Sequence, residues 1–262
     1  MDMKRILFTL LVLLPLCACK KGNPVVEPEK DLAFVSIEAF QTKTQVSTNA
    51  TPIWSQGDKI AVLGEDSESP SEFTLRSGAG YTCASFEGIK PQGELFIVCH
   101  PSTAKCDGIT FSGKLETQVS YSLPATPLGT LPLWGRARDL ENVKVSSPCG
   151  VLQLNLKGSG RLKSVLLDAG RPISGEFLCS LSDSMFAMIG GANIILIDAP
   201  DTEVFPSRAT PFYFVMPPGE YEEIRFTITP AEGEVMYFSP SDAIIIEPGA
   251  FSMLSVDLND LL

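Results

Sequence analysis

The sequence is poor in the residues that carry most catalytic and metal chemistry. It holds one histidine, His100, and two tryptophans, Trp54 and Trp134, in 262 residues. With a single imidazole and no Cys-x-x-Cys pair, a zinc site of the usual Cys/His kind lacks ligands. Basic residues are scarce too, with 20 Lys and Arg against 31 Asp and Glu and a net charge of −11. That balance argues against nucleic acid or anionic lipid headgroups as partners, because phosphates demand Lys and Arg. No apolar run approaches the roughly 20 residues needed to span a bilayer as a helix. Arginine is missing between Arg5 and Arg76.

What is present begins at the N-terminus. Lys4 and Arg5 precede a short apolar run, Ile6 to Leu16, closed by Leu16-Cys17-Ala18-Cys19. Basic start, short run and small residue before the cut make the layout of a secretory signal. The last four residues resemble the bacterial lipoprotein signal, whose cysteine is acylated and becomes the new N-terminus. An ordinary secretory signal that happens to hold two cysteines is the plain alternative. The lipoprotein reading predicts a signal peptide over 1–18, lipidation at Cys19, a charged, Pro-bearing tether over 19–31, and a lipid anchor at the cell outer membrane, exposed on the surface. Losing Asp2, Lys4 and Arg5 would shift the charge to −12.

From Leu32 onward the pattern is β. Leu152, Leu154 and Leu156 alternate with Gln153, Asn155 and Lys157; Ile224, Phe226 and Ile228 alternate with Arg225, Thr227 and Thr229; Leu254, Val256 and Leu258 alternate with Ser255, Asp257 and Asn259. Period two places one set on a core face and the other in water. Leu95, Ile97 and Cys99 alternate with Phe96 and Val98. Turn signals recur at Gln56-Gly57-Asp58, Ser77-Gly78-Ala79-Gly80, Cys106-Asp107-Gly108, Lys157-Gly158-Ser159-Gly160 and Pro217-Pro218-Gly219. Many short strands with regular punctuation predict an all-β chain of sandwich or barrel type. Outside the signal no amphipathic helix emerges, although Leu140-Glu141-Asn142 suits one short turn. Two halves are expected, an N-terminal sandwich over 32–144 and a C-terminal sandwich over 145–262, where Val151 to Lys157 opens a fresh strand.

The chemistry on offer is thin. Cys99 and His100 are adjacent on a strand, so their side chains point to opposite faces and do not readily share a proton. The run Glu65-Asp66-Ser67-Glu68-Ser69 supplies carboxylates on one apparent loop, without the facing pair a glycosidase needs or the spacing of a calcium loop. Trp54, ahead of Gly57-Asp58, either fills a core edge or lines a sugar platform, and Trp134 is read the same way; both are candidate ligand or interface residues. Cys83, Cys99, Cys106, Cys149 and Cys179 are an odd set, which leaves at least one thiol unpaired, and small buried apolar cysteines are the simpler reading. No catalytic residue, metal ligand or cofactor is expected.

The order of motifs is more telling than any one of them. Cys19 is followed by Thr42-Lys43-Thr44 and Trp54-x-x-Gly57-Asp58-x-Ile60. Then come Cys149-Gly150-Val151-Leu152-x-Leu154, Val165 through Gly175, Phe212-Tyr213-x-Val215-x-Pro217-Pro218-Gly219-x-Tyr221, and a closing apolar strand from Phe251 to Leu258. This resembles the fimbrillin-like lipoproteins of Bacteroidetes, subunits and anchors of type V pili, over nearly the whole chain after the signal. The resemblance implies two tandem transthyretin-like β-sandwich domains and a structural, adhesive role. It also implies assembly with other fimbrial subunits. Proteolysis removes the first strand, here Leu32 to Phe40, and a neighbour's strand fills the groove, the candidate donor being Phe251 to Leu262. In that strand Phe34, Ser36 and Glu38 share one face. Processing in the major pilins of this family is typically at Arg, whereas this chain offers only Lys43, so cleavage there needs a Lys-tolerant protease. Without cleavage the protein is an anchor, a minor subunit, or a stand-alone outer-membrane lipoprotein that binds a glycan or host protein.

Overall fold

The computed structural model describes residues 30–38, 41–42, 52–121 and 131–261. Cys19 and Lys43 lie outside them. The chain is all-β. Its first part contains β1 (Asp31–Ile37), β2 (Gln41–Thr42), β3 (Lys59–Gly64), β4 (Ser71–Ser77), β5 (Cys83–Gly88), β6 (Phe96–His100), β7 (Lys105–Cys106), β8 (Thr110–Leu115), β9 (Gln118–Ser120), β10 (Leu133–Ala137) and β11 (Val143–Val145). The remainder holds β12 (Gly150–Lys157), β13 (Gly160–Ala169), β14 (Gly175–Ser180), β15 (Phe186–Met188), β16 (Ile194–Val204) and β17 (Thr210–Met216). These are followed by β18 (Gly219–Tyr221), β19 (Ile224–Pro230), β20 (Met236–Phe238), β21 (Ile244–Ile246) and β22 (Ala250–Asp257). The one helical turn among the described residues is a 3₁₀ turn at Leu258–Asp260, where the Asp257 side chain accepts from the Asn259 N–H. Leu140-Glu141-Asn142 is not helical; the Asp139 carboxylate accepts the N–H groups of Glu141 and Asn142 and makes a turn.

Seven strands of the first part form one sheet in the order β10-β6-β3-β4-β5-β1-β11. Its two outer strands then meet. Trp134 and Ser146 exchange N–H···O bonds of 3.0 and 2.9 Å, so the expected pair of face-packed sheets is realised as one sheet that closes on itself. The seam needs Gly135, because a Cβ there would collide with the Lys144 carbonyl. Trp54, Ile60, Val62, Phe73, Phe86, Phe96 and Val98 are buried in the core that includes this sheet.

The second part is a sandwich of two sheets, β17-β12-β22-β2 and β20-β19-β13-β16-β9. Leu152, Leu154, Leu156, Phe212 and Phe214 face Val165, Leu167, Phe226 and Ile228, and the Phe214 and Phe226 rings meet at 5.9 Å. The motif Pro217 to Tyr221 has a clear local cause. The Tyr221 hydroxyl donates back to the Pro217 carbonyl at 2.9 Å, and the Arg171 guanidinium lies 4.1 Å from the ring centre. Gly219, at φ +142°, passes under that guanidinium where a Cβ would collide.

The alternation in β12 differs from its prediction. Gln153 and Asn155 are 3% and 7% exposed, and the Gln153 amide donates to Asn155 at 2.8 Å. The cause lies on the same face of the sheet, where Val151, Val215 and Phe251 belong to the first core, not the second. This sheet is therefore covered on both sides. β6 shows the same effect, with Ile97 and Cys99 buried as well as Phe96 and Val98.

The two parts are stitched together. β2 pairs with β22, β9 with β16, and β8 with β14. The last pairing builds a further sheet, β15-β14-β8-β7, whose buried Phe111, Phe177 and Cys179 join the first core.

Candidate functional site

The first strand is the most distinctive element. β1 runs antiparallel to β5, from Asp31 opposite Gly88 to Ser36 opposite Cys83, and parallel to β11, with Val35 opposite Val143. Ala33, Val35 and Ile37 point into the core, while Phe34, 47% exposed, points outward. The alternation follows the pleat, and burying Val35 and Ile37 stabilises by about 2 kcal/mol each. Beyond the ladder, the Phe34 N–H reaches the Leu140 carbonyl at 2.7 Å, the Ile37 N–H the Thr82 carbonyl at 2.9 Å, and the Glu38 N–H the Val145 carbonyl at 2.8 Å. The strand is thus bonded along both edges. A few residues later the chain reaches the other body, where Gln41 pairs with Ala250 and Thr42 with Phe251. Residues 31–37 and 41–42 therefore contribute to a sheet in each part of the molecule.

The candidate donor is less free than the sequence implies. β22 runs parallel to β12 from Phe251 opposite Val151 to Asp257 opposite Lys157, and buries Phe251 and Val256; Leu258, just beyond it, is buried too. Its outer edge meets only Gln41 and Thr42 among the described residues. The side chains alone could not reveal this, because the alternation of Leu254, Val256 and Leu258 is the same whichever chain supplies the neighbouring strand.

Trp54 is corrected. It is 1% exposed, its indole N–H donates to the Thr82 carbonyl at 3.1 Å, and its ring meets Phe86 at 5.0 Å and His100 at 5.3 Å. It fills the core and offers no platform to a sugar. Trp134 is half-buried against the same core, beside the closing seam, and opposite Cys99 in the ladder. His100 binds the Lys59 carbonyl through Nδ1 at 3.1 Å, which makes that nitrogen the donor. Burial holds its pKa below the ordinary value, although the Asp58 charge opposes this. The Cys99 side chain lies on the opposite face of β6, so the two do not act as a pair.

The acidic loop is a structural turn. Glu65 accepts the Glu94 N–H at 2.9 Å and the Ser67 hydroxyl accepts the Gln92 N–H at 2.9 Å. Among the described residues no group of three His, Cys, Asp or Glu is placed to hold a metal. A groove of ≈ 860 Å³ runs along Lys105, Lys114, Glu116 and Glu176. Its one aromatic, Phe177, is 1% exposed and presents no face for stacking.

Solved structures share this fold. A Bacteroides ovatus protein assigned to cell adhesion matches with a TM-score of 0.56 and 14% identity, over 86% of this chain and 91% of its own. A second such protein, from Bacteroides uniformis, matches with a TM-score of 0.52 and 12% identity, over 78% and 88% of the two chains. A fimbrial protein from Bacteroides ovatus aligns with a TM-score of 0.43 and 10% identity, over 86% of this chain and 48% of that one. No protein-family profile and no curated protein matches this chain.

Proposed function

We propose that the protein is a cell-surface lipoprotein of the fimbrial kind, a pilus subunit or anchor that assembles by strand exchange, built from two transthyretin-like units and tethered to the outer membrane through lipid on Cys19. The observation that carries this reading is the seat of β1. It lies on the N-terminal side of Lys43, the sole basic residue between Lys30 and Lys59. It is paired on both edges, and it buries one face. Cleavage at Lys43 would release the segment covering β1 and β2. Its departure would leave an apolar groove flanked by the unpaired backbones of β5 and β11, which a strand from another subunit can fill by main-chain hydrogen bonds and alternate side chains. The fold shared with two Bacteroides proteins assigned to cell adhesion supports the same role. In this reading its partners are other fimbrial subunits, and its work is mechanical rather than catalytic.

The test is made on native cells. Outer-membrane extract is run on a denaturing gel, boiled and unboiled, and the N-terminus of each band is sequenced. A heat-labile ladder beginning at Thr44 is the result expected for a processed, exchanging subunit. A single band still blocked by lipid at Cys19, with a cross-linked neighbour, identifies an anchor. That band without any neighbour overturns the polymer and leaves a stand-alone surface lipoprotein, whose glycan or host ligand is then sought on arrays.

A further inference from the structure

We propose that β15 is a self-pairing edge, and that two copies of this chain associate as a closed dimer by antiparallel pairing of β15 with β15 about a two-fold axis at Ala187. This pairing is independent of the fimbrial reading.

β15 is the outer strand of the sheet β15-β14-β8-β7. The Ser180 N–H donates to the Met185 carbonyl at 2.8 Å, and the Ile189 N–H to the Glu176 carbonyl at 2.9 Å. Between them Ala187 stands opposite Leu178. In an antiparallel ladder alternate residues turn their backbone groups toward the same neighbour. Met185, Ala187 and Ile189 therefore face β14. The N–H and C=O groups of Phe186 and Met188 point outward, where no strand pairs with them among the described residues. The strand is firmly seated, because the Phe186 ring stacks on Phe177 at 5.0 Å and, with Met188, packs against the first core. On the other face of the pleat, Met185 and Ile189 are 69% and 62% exposed, beside an exposed Ala187 and Leu178.

Natural edges are blunted by charge, proline or brevity, and several edges here follow that rule. β7 is two residues long and carries Lys105, β17 holds Pro211, and β20 lies between Glu234 and Pro240. β10 and β11 close on each other. β15 is unguarded. From Ser184 to Ala192 there is neither a charge nor a proline, in a chain of net charge −11.

The order of residues along this edge suits a second copy of itself. Centred on Ala187, the pairing sets Phe186 against Met188 of the second copy, so that their outward N–H and C=O groups are exchanged. It also sets Met185 against Ile189 of the second copy. The smallest side chain falls on the axis, where a non-hydrogen-bonded pair brings Cα atoms to about 4.5 Å. The nearest charge, Asp183, falls opposite Gly191 and not opposite another carboxylate. Two copies of net charge −11 repel each other, and an uncharged edge is where they approach at least cost. Because β14 fills the other side of β15, the pairing closes at two copies and does not grow into a fibre. A three-residue strand buries far less than the roughly 1,600 Å² of a standard interface, so the dimer is weak and reversible.

The full, uncleaved chain, in which β1 keeps its seat, is followed by sedimentation velocity over a concentration series in constant detergent. The expected result is a monomer–dimer equilibrium that tightens with salt, since salt screens the net charge. Ala187→Lys sets two like charges against each other at the axis and should weaken dimerisation by about tenfold, with an unchanged Tm because the position is exposed. In a Cys83→Ser background, mild oxidation should cross-link Ala187→Cys into a dimer far faster than Tyr237→Cys, an exposed position on another sheet. A wild-type chain that stays monomeric at every concentration, equal dimerisation of wild type and Ala187→Lys, or equal cross-linking of the two cysteine variants overturns the proposal.

Discussion

The two ends of the folded chain solve the same problem differently. β1 and β22 each lie parallel to one neighbour, β11 and β12; β1 buries alternate side chains on one face, whereas β22 buries Phe251 in the first core and Val256 in the second. Yet β1 is held along both edges, by β5 and β11, whereas β22 has β12 on one side and, among the described residues, only two residues of β2 on the other. Removing β1 strips two backbone rows of their partners. Removing β22 strips one, and with it the seat of β2. An apolar strand bonded on both edges is costly to remove, and the groove it leaves is a strong template for a replacement.

That contrast can be broken at several strengths. The largest effect is expected from Val35→Asp, which places an unpaired charge in the core. It should cost about 4 kcal/mol, whereas Ser255→Asp, at an exposed position of β22, should change stability by less than about 0.5 kcal/mol; urea denaturation of both measures the difference. Next, Phe251→Ala should cost about 3 kcal/mol by leaving a cavity, while Phe34→Ala on the outer face of β1 should stay within about 0.5 kcal/mol. Gly135→Ala should cost about 2 kcal/mol by forcing β10 away from Lys144, and amide exchange should quicken at Trp134 and Ser146 with little change in β12. In the second body, Tyr221→Phe removes one hydrogen bond and should cost about 1 kcal/mol.

The smallest expected effect is pH-dependent. His100 has its folded pKa depressed by burial, so the unfolded chain binds the proton more readily. Its contribution to stability is present above the unfolded value of about 6.5 and is lost as pH falls through it toward the lower folded value. His100→Gln should therefore flatten the wild-type decline in midpoint below neutral pH, and an unchanged slope would show that other groups govern it.

Much of this was legible in the residues. The all-β class, the strand at Lys59, the strand from Val151 to Lys157 and the one-sided burial of Ile224, Phe226 and Ile228 follow from period two and from turn residues, which are local signals. The turn at Pro217 to Tyr221 was legible as punctuation, though not as a hydroxyl returning to a carbonyl. Gln153 and Asn155 were misread because polarity reports what a residue prefers, not which layer arrives on top of it. Trp54 was ambiguous for the same reason, since a large amphipathic ring suits a core and a ligand platform equally well.

The sequence by itself determined that the chain is all-β, where several of its strands run and where many of its turns fall, because pleat and turn geometry act over a few residues. Only the tertiary structure decided that the first sheet closes at Gly135, and that β2, β8 and β9 are lent to partners far along the chain. Those outcomes depend on contacts between segments distant in sequence, whose pairing is chosen by the burial of the whole molecule and leaves no period in any one strand.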